Sequence, residues 1–324
     1  MIISRTPFRI SFAGGGTDLQ AYYKSGYGAV ISSTVDKYMY IHVNKRFDHT
    51  IRVSYSKTEI VETVDEIRHP IVREALKLVG VTQGVEVTSA ADVPAGTGMG
   101  SSSSFTVGLL NALYAYIGKH TDAETLASQA CHIEIDILKE PIGKQDQYIA
   151  AYGGLQYIRF NADETVFVDP VICSKDIKSR LGDMLMMFYT GLIRSAGEIL
   201  SKQSKETGNK IEHLTKMRDL AGKMREILIR DDNDLDKFGE LLHEGWMLKR
   251  GIVSDISNDI INSYYERALK AGAIGGKLLG AGGGGFILLY CPQNKQENVR
   301  KELAELKELP FKLEPQGSKI IYVA

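Results

Sequence analysis

Residues 94–104 read Pro-Ala-Gly-Thr-Gly-Met-Gly-Ser-Ser-Ser-Ser, with glycine at every second position from Gly96 to Gly100. Three missing Cβ atoms let backbone N–H groups turn toward one point, and the apolar helix predicted to begin near Phe105 adds the positive end of its dipole. Such a loop can wrap a row of phosphate oxygens. Pro94, Gly96, Gly98, Met99, Gly100, Ser101, Ser102 and Ser103 are its expected binding residues. The serine hydroxyls can cap the helix or bind a phosphate-associated Mg²⁺. A flexible turn with a serine N-cap is the plainer alternative, but it leaves the length and regularity of the pattern without a cause. The loop has no Walker A lysine. Its Gly-Xaa-Gly-Xaa-Gly order fits neither the dinucleotide fingerprint nor the Gly-Xaa-Ser-Xaa-Gly hydrolase elbow.

Three further clusters carry chemistry. In the first, residues 7–18, a strand runs into Gly14, Gly15 and Gly16, which bring backbone close to a ligand. Asp18 is then placed to accept hydrogen bonds from a polyhydroxylated molecule, or else sits exposed on a tight turn. Arg9, on that strand, can stabilise equatorial oxygens during phosphoryl transfer. The second cluster sets Glu134 and Asp146 on either side of a helix end. Asp146 follows Pro141 and Gly143, so it is expected on a loop beside a substrate hydroxyl, as a base. Glu134, expected on a half-buried helical face, is either a metal ligand or a solvated or salt-bridged carboxylate. The third cluster is the glycine-rich run 275–285, where two backbones can approach around one ligand and Lys277 can neutralise a phosphate; a close-packed hairpin is the alternative.

These residues need a scaffold. Phe8, Ile10 and Phe12, then Met39, Ile41 and Val43, then Ile51, Val53 and Tyr55 keep the period of two of strands. Pro70 opens a helix through Leu78, and Val85 and Val87 begin the strand that leads to the glycine loop. Thr121 with Glu124 suggests a capping box, followed by helical spacing up to Pro141. A hairpin is expected over 155–168, an apolar strand over 184–189, helices over 195–270 and strands at 286–290 and 319–323. The polar stretch 176–182 marks a domain boundary, giving an N-terminal domain 1–178 and a C-terminal domain 179–324. The interleaved charges of 211–249 suit a half-exposed bundle. His132 and Trp246 read as packing residues.

Composition narrows the class. The chain has 324 residues, 44% hydrophobic and 24% charged, enough for full cores, so disorder is excluded. With 39 Lys and Arg against 40 Asp and Glu, the net charge of −1 creates no global field for nucleic acid or an anionic membrane, and neither is expected as a partner. The longest near-apolar stretch, 105–118, is too short for a membrane span. The start Met1-Ile2-Ile3-Ser4-Arg5 lacks the pattern of a signal peptide, so a cytoplasmic location is expected. Cys131, Cys173 and Cys291 read as buried thiols in a reducing compartment.

Taken in order, the motifs resemble those of the GHMP kinase superfamily. The resemblance implies an α+β fold of two domains, an N-terminal mixed sheet with helices and a C-terminal ferredoxin-like domain. It also implies an ATP-dependent kinase with Mg²⁺, in which Asp146 is the base and Arg9 its electrostatic partner. Ser102, with Ser101 competing, joins Glu134 on the metal, and Gly15, Gly16, Thr17, Asp18, Arg194, Lys277, Gly282 and Gly283 hold the substrate. Galactokinases carry Gly-Glu-His-Xaa-Asp in the first motif. The Gly-Gly-Gly-Thr-Asp of residues 14–18, with Tyr189-Thr190-Gly191-Leu192-Ile193-Arg194-Ser195, is instead similar to the heptose kinase branch. That branch phosphorylates the anomeric hydroxyl of a heptose 7-phosphate on the way to nucleotide-activated heptose. Fucose kinase domains share the first-motif form. A small-molecule sugar phosphate is thus the expected partner, Lys45, Arg46, Arg194 and Lys277 are candidates for its phosphate, and the protein is expected as a monomer or homodimer. A non-catalytic sugar and nucleotide sensor, or a decarboxylase, would use the same pocket.

Overall fold

The computed structural model describes residues 1–192, 196–230 and 234–324. Its described strands form two sheets, one of nine strands and one of four. In the larger, the strand Ile2–Ala13 runs antiparallel to the long strand Tyr27–Lys45, which also pairs with Val85–Ala91 and Leu155–Asn161. Ile51–Ser54 joins Val85–Ala91 in parallel, so the sheet is mixed. Phe8, Ile10 and Phe12 are buried on one face, where the Phe12 ring meets Phe238 edge-on at 5.0 Å.

A register shift between Pro7 and Phe8 decides where the polar residues of this strand point. The partner strand skips two residues there, Asp36 and Lys37, and the side-chain alternation of Ile2–Ala13 is inverted beyond it. Ser4 donates to the Gly108 carbonyl of helix Ser101–Tyr116, and past the shift Arg9 and Ser11 reach helix Gln145–Tyr152 on the same side. The opposite face is covered by helices Ile211–Ile229 and Asp236–Arg250, the bundle expected over 211–249.

The second sheet is antiparallel, in the order Lys307–Glu308, Leu185–Tyr189, Phe286–Tyr290, Gly275–Leu278. Helices Asp236–Arg250 and Asp259–Ala271 lie against Gly275–Leu278, and Trp246 and Tyr265 fill a second core. The chain then returns to the first sheet: Lys319–Val323 pairs with Ile2–Ala13, and Leu313–Glu314 with Tyr27–Lys45. The polar stretch 176–182 lies inside a helix, Lys175–Asp183, capped by Ser174.

Several local expectations are corrected. The cap of helix Ala123–Cys131 is Asp122, which accepts from Thr125 N–H, and not Thr121; the carboxylate reaches the free first-turn donors. That helix continues as π-type turns over His132–Ile137, where Leu138 N–H donates to the Ile133 carbonyl at 3.0 Å. His132 is exposed and paired with Asp136. Asp146 stands in the first turn of a helix, not on a loop. All three cysteines are free, with Cys173 only partly buried. Among the described residues no helix is long and apolar enough to cross a membrane.

Candidate active site

The glycine loop explains its own spacing. Gly96, Gly98 and Gly100 have φ of +76°, +81° and +74°, the left-handed region that penalises a side chain, at each alternate residue. Gly100 is also the N-cap of helix Ser101–Tyr116, and no side chain caps that helix. The serines therefore do not cap it: Ser102 Oγ donates to Glu134 Oε1 at 2.5 Å and Ser104 Oγ to the Pro7 carbonyl at 2.9 Å. First-turn N–H groups without a side-chain acceptor at the positive end of a helix suit an anion.

Beside this loop, three consecutive residues of helix Gln145–Tyr152 meet three different partners. The Gln145 side-chain carbonyl accepts from Ser11 Oγ at 3.0 Å. Asp146 takes a bidentate pair from Arg9, Nε to Oδ1 and Nη2 to Oδ2, both at 2.7 Å. Gln147 Nε2 donates to Glu134 Oε2 at 2.8 Å. Arg9 is buried, and its Nη1 also donates to the Gly98 carbonyl, so one guanidinium orients the carboxylate and braces the glycine loop. Glu134 is fully buried, and desolvation pushes its carboxyl up to about 7 against the lowering effect of its hydrogen bonds. The half-buried, solvated reading of Glu134 is thus corrected.

These groups line or underlie a cleft of about 250 Å³ between the glycine loop, the turn at residues 14–18 and the run 279–284. Gly15, Gly16, Asp18, Gly96, Gly98, Gly100, Ser101, Ser102, Ser103, Asp146 and Gly282 are on its wall. Asp18 is buried and accepts from Gly16 N–H at 2.8 Å and Gln145 N–H at 3.3 Å, and its carboxyl is raised by burial.

Profiles of protein families match the chain in two places: GHMP kinases N terminal domain over residues 62–154, and GHMP kinases C terminal over residues 224–308. Together they cover more than half of it. The chain belongs to the GHMP kinases. It is 29% identical to the D-glycero-alpha-D-manno-heptose 7-phosphate kinase of Campylobacter jejuni, over 96% of each chain. It is 24% identical to the bifunctional fucokinase/GDP-fucose pyrophosphorylase of Arabidopsis thaliana, over 95% of this chain and 31% of that protein. The crystal structure of a D-glycero-D-manno-heptose 1-phosphate kinase from Bacteroides thetaiotaomicron shares the fold, with a TM-score of 0.82, 23% identity and full coverage of both chains. Like its relatives, this GHMP kinase is a phosphotransferase with an alcohol acceptor.

Not every residue expected in this kinase's cleft reaches it. Lys277 is buried in strand Gly275–Leu278, donates to the Phe12 carbonyl at 3.2 Å and is off the wall; burial lowers its pKa. Thr17 Oγ1 is used inside the turn, donating to the Gly14 and Ala29 carbonyls. Pro94, Met99 and Gly283 also lie off the wall: Pro94 accepts from Thr97, Met99 is in the core with its carbonyl on Arg9 N–H, and Gly283 N–H donates to Ile256. Arg46 pairs with exposed Asp48, and it and Lys45 are likewise absent from the wall. Arg194 lies outside the described residues. The residues that sequence reasoning missed are Lys249 and Gln203, on helices Asp236–Arg250 and Ala196–Glu206. Both are buried polar side chains on otherwise amphipathic helices, a pattern with no local signal.

Proposed function

We propose that this GHMP kinase transfers the γ-phosphoryl of ATP to the anomeric hydroxyl of D-glycero-D-manno-heptose 7-phosphate, supplying an intermediate for nucleotide-activated heptose. One observation carries the reaction type: Asp146, held by two bonds from buried Arg9, packs against Gly100 of a loop of left-handed glycines at a helix N-terminus, both on the wall of one cleft. The sugar oxygen attacks the γ-phosphorus as the bond to the ADP oxygen breaks, and the hydroxyl proton passes to Asp146. In a loose transition state, orientation and charge stabilisation matter more than early proton transfer. Arg9 then positions Asp146 and the loop. Asp18, Gly15 and Gly16 are proposed to hold the sugar. The heptose choice rests on the 29% identity over nearly the whole chain and on the Gly-Gly-Gly-Thr-Asp turn. We read residues 1–178 and 179–324 as the two domains of a cytoplasmic monomer or homodimer, with strands Leu313–Glu314 and Lys319–Val323 of the second returning to the sheet of the first.

Ser102 and Glu134 fit Mg²⁺. A hydroxyl and a carboxylate oxygen 2.5 Å apart beside the phosphate loop offer two hard donors, and Mg²⁺ normally draws its remaining ligands from phosphates and water. When bound, the ion would offset charge on the phosphate oxygens. Glu134→Gln should raise the Mg²⁺ concentration for half-maximal rate by roughly 10-fold or more, read by titrating Mg²⁺ at saturating ATP. An unchanged midpoint removes Glu134 from the metal.

A coupled ADP-release screen across heptose 7-phosphate, fucose, galactose, mannose and mevalonate tests the substrate. Activity on the heptose phosphate is expected. Activity only on unphosphorylated sugars overturns that choice and leaves the kinase, whereas no ADP with any of them favours a sensor, and CO₂ release a decarboxylase.

A further inference from the structure

Lys249 projects from the last turn of helix Asp236–Arg250 into the cleft wall, with only 5% of its surface exposed. Among the described residues its single hydrogen-bond acceptor is the Gly280 carbonyl. Gly280 in turn is packed on the phosphate loop: a Cβ there would stand 2.4 Å from Gly98 Cα. The ammonium is therefore tied to the seam where the two glycine runs touch. An ammonium has three N–H donors, and burying one with a single neutral acceptor is unfavourable. Burial and the charge of Arg9 push the Lys249 pKa down to about 8, partly offset by Asp18 and Asp146.

The other cations of this region are already committed. Arg9 directs Nε and Nη2 to Asp146 and Nη1 to Gly98, and Lys277, off the wall, donates to Phe12. Among the described residues Lys249 is the cleft-wall cation with no carboxylate in ion-pair contact, whereas Arg9 is paired with Asp146.

We propose that Lys249 is a second catalytic cation, whose ammonium contacts the oxygens of the phosphoryl group as it passes from nucleotide to acceptor hydroxyl. The assignment rests on the kinase reading above. It differs from a tether between helix and glycine run, for which any side chain that fills the space and keeps the fold would serve. A phosphoryl group brings the anionic oxygens that the ammonium otherwise lacks, and such charge-assisted bonds are the stronger kind. The groups that set its protonation are Arg9, Asp18 and Asp146, with Lys277 behind.

The test compares the wild-type protein with Lys249→Met and Lys249→Arg, after thermal melts establish that each is folded. On whichever sugar releases ADP, Lys249→Met should lower kcat by roughly 10²- to 10³-fold, the usual loss for one preorganised donor, with KM for ATP and sugar changed by less than about 5-fold. Lys249→Arg should restore at least about a tenth of the rate. Wild-type kcat/KM for ATP should fall above about pH 8 as the ammonium of the free enzyme loses its proton, and this limb should be absent in Lys249→Arg. A Lys249→Met enzyme within 3-fold of wild type, or equal losses in both variants with the alkaline limb unchanged, overturns the assignment. Titration calorimetry with ATP at pH 8, in buffers of different ionisation enthalpy, gives a readout that needs no turnover. Wild type should take up a fraction of a proton on binding that Lys249→Met does not. Uptake without turnover on any sugar would sink the kinase reading and leave the Lys249 contact standing; turnover without uptake would do the reverse. No ATP binding at all would remove both.

Discussion

Asp146→Asn should lower turnover by about 10²-fold or more while ATP affinity stays within a few-fold of wild type. The amide keeps the shape of the carboxylate and loses the proton acceptor, so the change falls on the step in which the acceptor hydroxyl is oriented and deprotonated. ATP contacts are expected instead on the N–H groups of the glycine loop, which shares the cleft wall with Asp146. The substitution also has a structural cost. Buried Arg9 gives two of its donors to Asp146, and an amide can accept only one of them while presenting N–H to the other. Removing one charge of a buried pair costs up to roughly 3 to 5 kcal/mol, somewhat less here because the Asp146 side chain is 22% exposed. Turnover should therefore be measured well below the melting temperature of the variant, with ATP binding on the same sample as the control for folding. Near-normal turnover in a folded Asp146→Asn protein takes the base away from this residue.

Gly98→Val should raise the dissociation constant for ATP by about 10²-fold or more, because each phosphate-loop contact it displaces is charge-assisted. The Cβ at this position would stand 2.4 Å from the Leu279 carbonyl oxygen, a backbone atom that cannot swing aside. At a φ of +81° a β-branched side chain adds local strain of roughly 1 to 2 kcal/mol. Clash and strain can be separated with a second glycine. Gly118 has nearly the same backbone, φ +73°, at the end of helix Ser101–Tyr116, and a Cβ there meets nothing within 4 Å. Gly118→Ala should lower the melting temperature modestly and leave ATP affinity unchanged. Equal ATP affinity in Gly98→Val and Gly118→Ala would mean that the 94–104 loop does not hold the phosphates.

Local chemistry was legible where it repeats over a short span. The alternation of Phe8, Ile10 and Phe12 names a strand face, Pro70 names a helix start, and three alternating glycines name a loop in which each alternate residue is left-handed. Asp146 stands out by its place after Pro141 and Gly143 but is assigned there to a loop, whereas the earlier helix already ends at Ile137 and a new one begins at Gln145, two residues past Gly143. The Thr121 capping box failed for a similar reason: Asp122 is one residue nearer and its carboxylate is a better acceptor for the same free donors.

Lys277 and Lys249 show what was not legible. Glycines around Lys277 suggest an open loop, yet its strand pairs with Phe286–Tyr290 and is covered by helix Asp236–Arg250, so the ammonium is drawn under the cleft to the Phe12 carbonyl. Lys249 is one charged residue among many on an amphipathic helix, and only its packing against the 275–285 run brings it to the cleft.

Residue order alone determined which segments are strands, helices and glycine turns, and hence the kinds of group available for phosphoryl chemistry, because backbone sterics and hydrophobic periodicity act over a few neighbouring residues. The tertiary structure decided which groups meet. Arg9 reaches Asp146, 137 residues away, because a register shift between Pro7 and Phe8 turns it to the same side as the helix carrying that carboxylate. Such a meeting depends on how sheets and helices bury one another, and no window of neighbouring residues contains that information.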